Sequence, residues 1–133
     1  LLEKSNRLLI LPDKNPEDKL PENLRSLLSF YQSSGHTPGQ LHGIIKGNKE
    51  SIIFCGDLIP GTPWVHLPIT MGYDRYPELL IDEKKSLYEI SDLENLLLFF
   101  THDPKHVASK VIKNDKGRYE AVDALSTLLR RSI

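Results

Sequence analysis

The stretch "LRSLLSFYQSSGHTPGQLHGIIKG", residues 24–47, decides how the chain folds. Its aromatic and aliphatic first part, to Gln32, predicts a strand that runs straight into a bend. Gly35 and Gly39 permit backbone angles that other residues avoid, and Pro38 fixes its own. The bend therefore holds one imidazole, His36, in one direction. Such a short pattern also reads as a surface turn that happens to contain a histidine.

Outward from this bend, the elements follow one another with little ambiguity. "LHGIIKG" (41–47) and "SIIFCG" (51–56) flank the polar "NKE", which reads as a hairpin. The second run is apolar at Ile52, Ile53, Phe54 and Cys55 without alternation, which predicts cover on both of its faces. Upstream, "RLLIL" (7–11) before Pro12 reads as a short buried strand, and "DKNPEDKLPEN" (13–23) as a loop or helical turn. Residues 57–77, with four prolines and two glycines, form a long loop that Trp64, Tyr73 and Tyr76 argue is ordered.

"PELLIDEKKSLYEISDLE" (77–94) predicts a helix. Pro77 suits the first turn, Glu78 suits the positive end, and Leu80, Leu87 and Ile90 fall on one face. "NLLLFFTH" (95–102) reads as a buried strand, residues 106–123 as a hairpin around Asn114–Gly117, and "ALSTLLRRSI" (124–133) as a closing helix. Strands, helix, strand, hairpin and helix in that order predict one α+β domain, residues 1–133, with a mostly antiparallel sheet and helices on one face.

Composition removes several classes of function. The 133 residues carry 17 basic and 18 acidic side chains, a net charge of -1, so nothing favours nucleic acid or an anionic membrane. The longest apolar runs are too short to span a bilayer. A single cysteine, Cys55, forbids an internal disulfide and points to a reducing compartment, the cytoplasm. The chain starts at Leu1 and its only methionine is Met71, which suggests a fragment or a processed product.

Three segments share one pattern, a buried strand that ends in a residue able to bind metal. "LSFYQSSGH" ends in His36, "SIIFCGD" in Asp57 and "LLLFFTH" in His102. Rigid strand ends suit ligands, because a metal site tolerates little positional error. Two imidazoles and a carboxylate suit zinc, manganese or iron, and one aspartate can touch two ions. The alternatives are a turn or cap for Asp57 and a loop-start histidine for His102. His42, His66 and His106 lack the strand-end context and read as structural.

"SGHTPGQ", "IIFCGDLIP" and "LLFFTHDP", in this order, resemble the second half of a metallo-β-lactamase-fold hydrolase, and "PWVHLPITMGYDRYP" resembles its lactonase-like small-molecule branch. The resemblance runs from about Leu24 to Asp123. It implies the C-terminal half of an αββα sandwich. It also implies that His36 completes a first metal site, Asp57 bridges both metals as the central catalytic group, and His102 belongs to the second site. Metal-activated water would then hydrolyse an ester, lactone, thioester or related small molecule, with two divalent ions, zinc first and manganese or iron as alternatives. Trp64 and Tyr73 are candidate substrate walls.

The family's early His-x-His-x-Asp-His block has no counterpart here. With Asp57 shared, each of two metals would have only two ligands, so the chain reads as the C-terminal part of an enzyme, itself nearly inactive. Its apolar sheet face would then be covered by a missing N-terminal half or by another copy. The alternative is a non-catalytic half-domain that serves binding or oligomerisation. Nuclease activity is disfavoured by the absence of a basic stripe.

Overall fold

The computed structural model describes residues 2, 4, 5, 7–129 and 133. Six strands form one sheet in the order β1-β2-β3-β4-β5-β6. They are β1 (Leu28–Ser33), β2 (Gln40–Lys46), β3 (Ser51–Phe54), β4 (Leu96–Phe99), β5 (Ala108–Lys113) and β6 (Tyr119–Leu125). All neighbours are antiparallel except β3 and β4, which are parallel. A parallel pair needs a long crossover. Here it contains the loop after β3 and helix α2 (Pro77–Ile90), the second helix after the single-turn α1 (Glu22–Arg25).

The β5–β6 hairpin forms where expected. Asn114 Oδ1 accepts from the Lys116 and Arg118 amides, and Gly117 adopts φ +75° to close the turn.

One sheet face packs on α2. Ile53, Leu98, Val111 and Tyr119 share a buried cluster with Leu80, Leu87 and Tyr88 of the helix. Each fully buried aliphatic side chain there contributes about 1.5–3 kcal/mol relative to exposure. The other face is only partly covered. Phe54 stacks on Phe99 with ring centroids 5.9 Å apart, yet Phe54 is 47% exposed and Ile45 is 49% exposed. Cover on both faces was expected for residues 52–55. Only Ile53 and Cys55 are buried there, because α2 lies on one side alone. β4, in contrast, is buried on both faces through Leu96, Leu97 and Leu98.

Three further expectations are corrected. Residues 7–11 form no strand, and Leu8, Leu9 and Ile10 are exposed. At the free edge of β1 a side chain already takes a ladder donor, since the Phe30 amide donates to Glu17 Oε1 at 2.8 Å. Ile90 is exposed, because the buried stripe of α2 is Leu80, Lys84, Leu87 and Tyr88, at helical spacing, and the helix ends as Ser91 turns extended. The closing helix is also absent over its described part. Residues 124 and 125 continue β6, residues 126–129 are irregular, and 130–132 lie outside the described residues.

Candidate metal centre

The sheet topology brings three strand ends to one place. β1 and β3 are each antiparallel to β2, so they run the same way, and β4 is parallel to β3. The residues that follow β1, β3 and β4 therefore emerge at the same edge. Those residues are His36, Asp57 and His102.

Each is held by local backbone geometry. The loop before His36 presses against α2. A Cβ on Gly35 would lie 2.5 Å from the Leu80 backbone, so only glycine fits. Glu83 of α2 accepts from the Ser34 and Gly35 amides at 2.6 and 2.9 Å. The Tyr76 amide donates to the Gly35 carbonyl at 2.7 Å, which ties the end of the 57–77 loop to the same turn. Asp57 follows Gly56, which adopts φ +49° and lets the chain turn sharply out of β3. The His102 amide donates to the Pro60 carbonyl at 2.9 Å, and the Thr101 hydroxyl to the Gly56 carbonyl at 3.0 Å.

The three side chains meet. Asp57 Oδ2 lies 3.3 Å from His36 Nε2, and Asp57 Oδ1 lies 2.9 Å from His102 Nε2. One carboxylate thus stands between two imidazoles, one on each oxygen. His36 is turned in this direction from behind, since its Nδ1 lies 2.8 Å from Asp74 Oδ1. Asp74 Oδ2 accepts from the Met71 amide at 2.6 Å, and its side chain has no solvent exposure. The Tyr73 ring meets the His36 ring edge-on at 5.9 Å and is 72% exposed. Trp64, the other candidate wall, packs against the hydrophobic core, and its carbonyl accepts from Lys84.

Sequence reasoning missed the groups behind the site. Asp74 lies in the 57–77 loop, and nothing in the sequence around it points to His36. Lys84, which the helix pattern did not single out, is fully buried, and its Nζ donates to the carbonyls of Trp64, His66 and Ile69 at 3.1, 3.0 and 2.7 Å. Burial pushes its pKa down to about 8, against the pull of the Asp74 charge. The available signal was its place at i+4 from Leu80 on the buried stripe. Asp103 holds the loop at Thr62. Burial raises its pKa, but hydrogen bonds from Thr62, Lys105 and His106 outweigh that and keep the carboxyl well below the ordinary range.

The histidines without strand-end context are not part of this arrangement. His42 is completely buried: its Nδ1–H donates to the Phe54 carbonyl at 3.2 Å and its Nε2 accepts from the Ser33 hydroxyl at 2.7 Å. Burial lowers its pKa. His66 offers its carbonyl to Lys84, and His106 sits 3.7 Å from Asp103.

Among the described residues, no three His, Cys, Asp or Glu side chains form a group that could hold an ion. The arrangement gives one imidazole to each oxygen of a shared carboxylate, and so two donors to each side. Two donors per side are fewer than the three that a protein-held zinc ordinarily takes, so these residues alone would be only part of a cation site.

Protein comparisons agree with this architecture. The chain has the fold of a portion of three solved hydrolases. One is a probable metal-dependent hydrolase from Staphylococcus aureus, 20% identical with a TM-score of 0.66, covering 97% of this chain and 42% of that one. Another is the hydrolase AbOPH of the beta lactamase superfamily, 16% identical with a TM-score of 0.61, covering 82% and 49%. The third is AidC, a dizinc quorum-quenching lactonase, 21% identical with a TM-score of 0.54, covering 73% and 33%. The chain thus spans less than half the length of each. The model of the metallo-beta-lactamase superfamily matches residues 3–102, and the chain belongs to that superfamily. No curated protein sequence matches it significantly. Among the described residues, no helix is long and apolar enough to cross a membrane.

Proposed function

We propose that the chain supplies one side of a binuclear, metal-dependent hydrolase site that acts on an ester, lactone, thioester or related small molecule. The observation that carries this is the Asp57 carboxylate set between the Nε2 atoms of His36 and His102. His36 and Asp57 would hold one cation, and His102 and Asp57 the other. Zinc suits these ligands, as do manganese and iron. Bound divalent ions supply Lewis acidity toward a carbonyl oxygen and acidify water.

The chain's own residues do the rest. Asp57 keeps the two imidazoles at a fixed separation. Tyr73, exposed at the edge of His36, forms a wall against which a substrate's apolar part packs. The remaining donors, and the cover of the open sheet face, come from the rest of a protein of the length seen in the solved relatives. The catalytic unit is then larger than these 133 residues, and the chain alone turns over little substrate. Cys55, buried and free, fits a cytoplasmic setting.

A second reading has its own support. Ile45 and Phe54 are half exposed on the open face, in an apolar groove with Gly43, Ile52, Phe99 and Leu128. Such a patch suits association with another chain. Light scattering on the isolated chain addresses it, and a monomer that binds no hydrophobic dye counts against it.

The primary reading is tested by Asp57→Ala in the full-length gene product. Bound divalent metal and hydrolysis of a panel of aryl esters and acyl lactones are expected to fall together, the rate by about 10² or more. Unchanged metal content and rate remove Asp57 from the site and sink the proposal.

A further inference from the structure

We infer that Asp74 is the positioning carboxylate of His36, and that the buried Lys84 keeps it in place by holding the loop on which it stands. This rests on the proposed role of His36 as a cation ligand and adds the device that aims it.

The argument begins with the imidazole. A neutral ring has one protonated and one free nitrogen, and only the free one binds a cation. An ionised carboxylate can only accept, so His36 Nδ1, 2.8 Å from Asp74 Oδ1, carries the proton. Nε2 faces the Asp57 carboxylate at 3.3 Å, and with Nδ1 protonated it is the nitrogen that would offer a lone pair to a cation held there. A carboxylate behind a histidine ligand commonly sets tautomer and ring orientation together.

A purely structural role does not explain Asp74. Its Oδ2 closes a local turn by accepting from Met71, whose carbonyl accepts the Asp74 amide at 3.1 Å. That turn uses one oxygen only. The second oxygen goes to His36, 38 residues away in sequence. The side chain is fully shielded from water.

Lys84 supplies the frame. Its ammonium gathers three carbonyls from residues 64–69, the last of them two residues before Met71. The preceding residue of the same helix, Glu83, holds the Ser34 and Gly35 amides on the other side of His36. Consecutive residues of α2 therefore fix the loop that carries the imidazole and the loop that carries its carboxylate.

The test uses the full-length gene product, stripped of metal and titrated with Zn²⁺ against a chelator of known affinity, with melting temperature recorded beside it. Asp74→Asn keeps an oxygen for the Met71 amide but turns an NH₂ donor toward His36 Nδ1, which forces the ring proton onto Nε2. The expected result is zinc binding weaker by about 10–100-fold, with a melting temperature within roughly 2 °C of the parent. Lys84→Met is expected to weaken zinc binding and to lower the melting temperature as well. Equal zinc affinity in Asp74→Asn and the parent overturns the inference while leaving the metal site intact. A parent that binds no zinc overturns the metal reading and this inference with it. If Asp74→Asn does not fold, ¹⁵N-histidine NMR of the zinc-loaded parent decides: Nδ1 protonated with Nε2 bound upholds the inference, and zinc on Nδ1 overturns it.

Discussion

His36 and His102 flank the same carboxylate in opposite surroundings. His36 has a side chain 14% exposed, a carboxylate behind it, a neighbouring loop clamped by Glu83, and a glycine pressed on α2. His102 has a side chain 60% exposed and is positioned by its own amide, which donates to the Pro60 carbonyl, and by the neighbouring Thr101 hydroxyl, which donates to the Gly56 carbonyl. The lesson is that one arm of the site is built into the core and the other is laid on the surface. Changes in the packing of the first arm against α2 should cost stability, whereas changes on the second should cost binding alone.

The largest effect is expected at Gly35→Ala. The new Cβ would meet Leu80 backbone at 2.5 Å, and neither main chain can move without disturbing α2. Urea unfolding of the full-length gene product should show a loss of about 3 kcal/mol. A loss under about 1 kcal/mol would mean that the His36 arm is looser than its contacts suggest.

Lys84→Met comes next. It leaves three buried carbonyls without their donor, and the same measurement should show a loss of about 2–3 kcal/mol. A neutral outcome would show that the loop holds itself without the ammonium.

His42 tests the arm through pH. Burial lowers its folded pKa below the unfolded value of 6.5, so the unfolded chain takes up the proton first. Its contribution to stability is complete above about pH 6.5 and declines as pH falls toward the folded value. His42→Gln should flatten the acid limb of a stability–pH curve in that window. Parallel curves for parent and variant would show that His42 carries none of that dependence.

The smallest effect is expected at His102→Ala, within about 0.5 kcal/mol of the parent. A loss as large as that of Gly35→Ala would erase the contrast between the two arms.

Much of the fold was legible because its signals are local. Proline at the start of α2, the polar turn between β2 and β3, and the Asn114–Gly117 turn each mark a boundary through their own backbone preferences. The failures share a different cause. The apolar run at 7–11 looks like a strand, but a strand needs a partner edge, and the Phe30 amide on the edge of β1 already bonds Glu17. Phe54 looks like core, but among the described residues no helix lies over its face. Ile90 looks like part of a buried stripe, but it lies off the line of Leu80, Lys84, Leu87 and Tyr88. In the site, His36, Asp57 and His102 were legible as strand ends. The pairing of Asp74 with His36 and the burial of Lys84 were not, because the first joins residues 38 apart and a lysine in a charged helix looks like ordinary surface.

The amino-acid sequence alone determined the strands, the bends after them and the ligand-type residues at their tips, since these depend on side chains and backbone angles within a few residues. Only the tertiary structure decided that β1, β3 and β4 run the same way, that their tips meet at one carboxylate, and that a helix charge is buried behind it. Strand direction and burial are set by long-range pairing and packing, and no short window of residues contains them.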